Sequence, residues 1–236
     1  MAKREFPKIE GDFGPKDLEP MPAPGGLHAK ISDFSNKLFG IIKFLLGICL
    51  LPFVYSSTVS FLNELGLIDK IQQNYFWLGI ISLLVIYLFI WEPAIIYSRG
   101  HRILEIIFNF FKPLVRVAPY LLPIYTIIVF LLYQALSMAI TSEWLARYTV
   151  FALGFTVSLH LIFSAKTIRG KKNDFLKSNY IFGFSFVYIL NLILLAICLN
   201  LMFKEFSLVN FFNVFFQTAK NIFDAVFSQL FLNKAA

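Results

Sequence analysis

Apolar residues fill this chain in long blocks, with polar residues gathered between them. About 20 apolar residues cross a hydrocarbon core, and five blocks approach that length: 38–62, 75–97, 119–140, 144–165 and 180–203. Lys43 and Pro52 interrupt the first. Tyr75 and Trp77 at one end of the second, with Trp91 near the other, form an aromatic belt of the kind found at membrane–water boundaries. Only Thr141, Ser142 and Glu143 separate the third block from the fourth, which predicts an antiparallel hairpin. No fixed-period repeat is visible.

Two segments have a periodic rather than a uniform apolar pattern. In 102–115, Arg102, Glu105, Asn109 and Lys112 recur every three or four residues, predicting a helix in the membrane interface. In 207–233, Leu208, Phe212, Phe215, Ala219, Ile222, Val226 and Leu230 make one face. Asn210, Asn213, Gln217, Lys220, Asn221, Asp224 and Ser228 make the other. The rhythm predicts a long amphipathic helix, opened by Ser207 as N-cap. Its polar face is mostly amide, and Lys220 and Asp224 cancel in charge. The pattern leaves open whether this helix lies flat or inserts.

The opening of the chain differs in kind. Residues 1–29 hold five of the ten prolines and four of the twelve glycines. Such a segment buries too little apolar area to offset its ordering entropy, so it reads as an irregular tail. It carries no apolar stretch and has early acids, unlike a secretory signal or a transit peptide. Leu27, Ile31, Phe34, Leu38 and Ile41 then predict a short surface helix leading into the first span. The expected organisation is a tail at 1–29, a membrane bundle at 30–206 and an amphipathic helix at 207–236.

Composition supports the membrane reading. Hydrophobic residues make up 58% of the 236 and charged residues only 15%, against about 25% charged in a soluble domain. The net charge of +7 would also suit nucleic acid, but the cations sit in short segments beside the apolar blocks, as topology determinants do. Successive segments carry six Lys and Arg to residue 37, one in 63–74, four in 98–118, one in the turn after 140 and five in 166–179. By the positive-inside rule the N-terminus and the cation-rich loops face the cytoplasm. Five crossings would then leave the C-terminus outside. The fold class expected is an all-α, multi-pass bundle of five spans with an interfacial and an outer amphipathic helix. The absence of glycosylation sequons and transit signals points to a prokaryotic inner membrane.

Candidate chemistry is sparse. No glycine-rich phosphate loop is present, since Gly170-Lys171-Lys172 lacks the upstream glycine and the hydroxyl. Zinc-binding and nucleophile-elbow patterns are missing as well, so no metal or cofactor is expected. Cys49 and Cys198 lie inside apolar blocks, as packing residues do. What remains are polar groups at membrane depth, each of which must be paired, solvated or functional. Lys43 can snorkel to the headgroups. Glu92 can pair with Arg99 or Arg102. His101 and Glu105 stand at i,i+4, a salt-bridge spacing. His160 can handle protons, or bond across helices to Tyr133, Gln134, Ser137 or Asn191. Lys171, Lys172 and Lys177 suit topology, anionic headgroups or a partner's acidic surface.

These features predict a non-enzymatic membrane subunit that anchors or scaffolds a larger assembly, its partners being the bilayer and other membrane proteins or further copies of itself. Nucleic acid is not among them. The alternative is a small transporter, channel or lipid-handling component with His160, Gln134 and Asn191 along its path. An interfacial enzyme using Glu92, His101 and Glu105 is the third possibility.

Overall fold

A computed structural model describes residues 26–90, 93–109, 118–139, 142–170 and 180–232. These are predominantly helical, with no strand among them. The chain divides into two units, Met1–Phe39 and Gly40–Ala236. The described part of the first begins at Gly26 and is all helix; everything below concerns the second.

Besides a helical turn at 118–121, the α-helices among the described residues are, in order, α1 (Gly26–Leu65), α2 (Lys70–Val85), α3 (Ala94–Ile107), α4 (Ile124–Ser137), α5 (Glu143–Gly170), α6 (Tyr180–Met202) and α7 (Leu208–Phe227). Among the described residues, four stretches are long and apolar enough to cross a membrane: Leu38–Leu65, Lys70–Phe89, Glu143–Arg169 and Tyr180–Met202. The chain is thus an all-helical protein compatible with a multi-pass membrane location.

Three expectations change in detail. The helical range α1 (Gly26–Leu65) takes in both the residues expected as a short surface helix and the first apolar block. The second span ends earlier than expected, in a π-helical turn at Ile86–Ile90, and a new helix starts at Ala94 after Pro93. Proline lacks an N–H and fixes its own φ, so it suits the start of a helix and not its interior. A helix occupies Ala94–Ile107 and shares 102–107 with the segment expected to be interfacial, 102–115, of which 110–117 lie outside the described residues. The third block is split: a helical turn at 118–121 stops before Pro123, and α4 begins at Ile124.

Side-chain pairs give the relative directions. Tyr75 of α2 meets Tyr148 of α5 with ring centres 6.2 Å apart, and Tyr87 meets Phe163 at 5.9 Å. Both numbers rise together, so α2 and α5 run parallel. They touch through two glycines: a Cβ on Gly79 would strike the Phe151 carbonyl oxygen, and one on Gly154 the Phe76 carbonyl oxygen. Without a hydrophobic drive between helices in lipid, close backbone approach is what small residues contribute. Thr126 of α4 bonds Thr156 of α5 at 3.0 Å while Tyr120 lies against His160, so α4 is antiparallel to α5.

The main core lies where α1, α2, α5 and α6 meet α7, around Phe61, Phe76, Leu153, Leu195, Leu199 and Phe211. A smaller cluster of Leu83, Leu159 and Phe163 packs under α3.

Candidate functional site

Four of the polar groups expected to carry chemistry, His101, Glu105, His160 and Asn191, lie around the break before Pro123. A helix end leaves its last carbonyls without intrahelical donors, and at membrane depth no water replaces them. His160 Nε2 lies 3.1 Å from the Tyr120 carbonyl. A carbonyl only accepts, so Nε2 carries the hydrogen and donates. Ser164 sits 3.2 Å from the same nitrogen and donates to the same carbonyl at 3.4 Å. From α6, Asn191 Nδ2 donates to the next carbonyl, Leu121, at 3.2 Å, and to Val187 at 2.7 Å. Two spans thus grip two consecutive carbonyls. His160 and Asn191 are brought to the same turn, but each meets backbone, not the other.

The neighbouring α3 extends this cluster. His101 Nδ1 and Glu105 lie 3.2 Å apart, and the His101 ring stands edge-on to Tyr120 at 4.9 Å. Tyr97 stacks on Phe163 at 5.3 Å and its hydroxyl is 3.3 Å from Ser164. Burial holds the Tyr97 phenol above its ordinary range, which keeps the O–H in place. The arrangement docks α3 and the broken helix against α5. Gln134 is half-buried on α4, and its carbonyl accepts from Ser137 at 3.0 Å. Lys43 of α1 is buried. Glu92, Lys171, Lys172 and Lys177 lie outside the described residues.

A second polar cluster was not anticipated from the sequence. Glu64, 1% exposed, stands at the end of α1 beside the start of α7. Its carboxylate accepts from the Ser207 backbone N–H at 2.8 Å and from the Asn210 side chain. Asn200 of α6 accepts from the Leu208 N–H at 2.8 Å, and the Ser207 hydroxyl accepts from the Asn210 N–H at 3.2 Å. The first N–H groups of α7 are therefore capped from three elements, with an anion at the positive end of the helix dipole. A single glutamate close to the end of an apolar block, with a capping serine after a later block, was the only signal in the sequence.

From this cap α7 runs back along α1. Ser60 donates to the Phe211 carbonyl, and the Phe53 ring lies between those of Phe215 (5.7 Å) and Phe223 (5.5 Å). Numbers fall on α1 as they rise on α7, so the helices are antiparallel. On α1 these contacts run from Glu64 to Phe53, about 16 Å at roughly 1.5 Å per residue.

The surface of α7 has three faces. Phe211, Phe215 and Ala219 are buried. Val209 (72% exposed), Phe216 (59%) and Leu230 (64%) form an uncovered apolar flank, which suits lipid and would be a liability in water. Opposite the buried face, Asn210, Asn213, Gln217, Lys220, Asn221, Asp224 and Ser228 are all exposed. No family model matches the chain, and no curated protein or solved structure is significantly similar to it.

Proposed function

We propose that this protein is a non-enzymatic integral membrane subunit of a prokaryotic inner membrane, which assembles with another membrane-embedded chain through the polar face of α7. The observation that carries this reading is the exposed amide stripe on a helix that accompanies a spanning helix. Amides and charges facing hydrocarbon are costly, so the stripe calls for a polar neighbour. The other intramembrane polar groups, His160, Ser164 and Asn191, already serve the break before Pro123.

The topology we propose has five apolar crossings with the N-terminus in the cytoplasm. The cation counts support it, and so does the direction of the helices. Because α2 and α5 run parallel, the chain must return across the bilayer between them, and α4 with the preceding turn is the element that does so. Its pairing with α5 from Tyr120–His160 to Thr126–Thr156 agrees. We further propose that α7 inserts beside α1 as a sixth, amphipathic crossing. That replaces the expected outer position of the C-terminus with a cytoplasmic one.

The test is site-specific photocrosslinking in native membranes. A crosslinker at Gln217 is expected to capture protein, and one at Val209 to capture lipid. Capture of lipid alone at Gln217 would overturn the reading. A channel or transporter is the second reading, favoured by the same stripe if water fills the space in front of it. Modification of Gln217→Cys by a membrane-impermeant thiol reagent would then take the place of protein capture.

A further inference from the structure

A cavity of about 190 Å³ lies where α1 faces α2, α5 and α6. Helix α1 is tight against α6 at Gly47, where a Cβ would come within 3.0 Å of the Phe182 backbone nitrogen. Near its end α1 is held again, by the Phe61 ring against those of Phe76 (5.9 Å) and Phe206 (6.1 Å). The cavity lies beside this second hold, where Thr58 meets Tyr188 through their hydroxyls at 2.9 Å. Phe61, Phe76, Val157 and Leu195 form its floor and are buried. Leu62 and Trp77, each 42% exposed, stand at its mouth. Both belong to stretches apolar enough to span a membrane, so the mouth faces hydrocarbon. Trp77 is seven residues into α2, about 10 Å at roughly 1.5 Å per residue. Half a hydrocarbon core is about 15 Å, which puts the mouth partway down the leaflet nearest the turn between α1 and α2.

The lining decides what can enter. Among the described residues that line the cavity, none carries a charge, and the polar side chains are the hydroxyls of Thr58, Ser158 and Tyr188. Thr58 donates to the Val54 carbonyl at 2.8 Å and therefore accepts from Tyr188, while Ser158 donates to the Gly154 carbonyl at 2.8 Å. All three hydroxyl hydrogens are committed, and these oxygens have only lone pairs left to offer. An ester, a quinone or a phosphate would bring acceptors to a place without donors. Hydrocarbon needs neither. An apolar cavity of about 150 Å³ stays dry and takes a benzene-sized guest, so this one has room for a run of chain on the order of six carbons. Left empty, its lining would lose dispersion contacts on one side.

We propose that this cavity binds the terminal part of one acyl chain of a membrane phospholipid, entering sideways between Leu62 and Trp77. The ester groups and the headgroup stay outside, in the leaflet the chain comes from. The site is separate from the polar face of α7 and stands whatever covers that face.

The experiment places the full-length chain in vesicles of phosphatidylethanolamine and phosphatidylglycerol doped with a phospholipid carrying a diazirine at the end of one acyl chain. After irradiation, labelled residues are identified by mass spectrometry. Label is expected on Val157 and Leu195, 4% and 0% exposed, as well as on Leu88, which at 67% exposed reports bulk lipid. Ser158→Phe fills the cavity and lowers label at Val157 and Leu195 by about tenfold, leaving Leu88 unchanged. Trp77→Ala widens the mouth and raises label on the same two residues several-fold. A misfolded Ser158→Phe chain would expose the floor and raise its labelling, so the expected loss cannot come from misfolding. Label on Leu88 without label on the floor would overturn the proposal. So would floor labelling that Ser158→Phe leaves unchanged, since the chain would then arrive by another route. Floor labelling by a photoreactive iodobenzene but not by the phospholipid would overturn it too, in favour of a pocket for small apolar guests.

Discussion

His160, Asn191 and Glu64 each bond main-chain groups of a neighbouring segment. The first two supply donors to carbonyls that Pro123 leaves without helical partners. Leaving a buried acceptor unmet costs about 1–3 kcal/mol. His160→Leu and Asn191→Leu should each lower thermal stability in mild detergent by that order, while His160→Gln, which keeps a donor, should recover part of the loss. Glu64 has the opposite role, accepting from N–H donors at the start of α7. Glu64→Ala should free the first turns of that helix, seen as faster amide hydrogen exchange in 207–215 with little change in α5. Glu64→Gln keeps an oxygen for the Ser207 N–H and should be milder. In the sequence His160 and Asn191 stood out as polar residues among apolar ones. Their partners did not, because those are main-chain carbonyls that no residue type announces.

Glycines decide how the helices meet. Gly79 and Gly154 occupy the crossing of α2 and α5, where an added methyl would strike backbone oxygen. Backbone cannot step aside as a flexible side chain does. Gly79→Ala and Gly154→Ala should each destabilise by about 1–3 kcal/mol, the usual cost of overpacking. Gly40, by contrast, has open space around its would-be Cβ. Gly40→Ala should be neutral or stabilise by up to about 1 kcal/mol, since alanine favours helix. Thermal unfolding of the three variants side by side checks the contrast. Element boundaries were legible where proline marks them, at Pro93 and Pro123, although the apolar pattern runs on through both. Hydropathy sums residues without asking whether the backbone can continue, so the blocks at 75–97 and 119–140 merged what the chain separates.

At the scale of the whole molecule, the proposed count of crossings rests on direction. Parallel α2 and α5 are the reason a return is proposed between them, and antiparallel α1 and α7 the reason the final helix is proposed to lead back toward the starting side. Reporter fusions at either terminus should therefore both be active in the cytoplasm. Cysteines introduced at Gly66 and Lys204 should react with an impermeant reagent from outside. An external C-terminal reporter would refute the sixth crossing while leaving the five apolar ones intact.

The sequence by itself determined that the chain is helical and apolar enough to cross a membrane, where the cations lie between the crossings, and that 207–233 has two faces. Those properties follow from composition and period, which are local. Only the tertiary structure decided that the amphipathic helix descends along α1, that His160 and Asn191 serve a broken helix, and that Glu64 caps α7. Each of these depends on which distant segments share a height along the bundle, and direction and register between helices leave no mark in the order of residues along one of them.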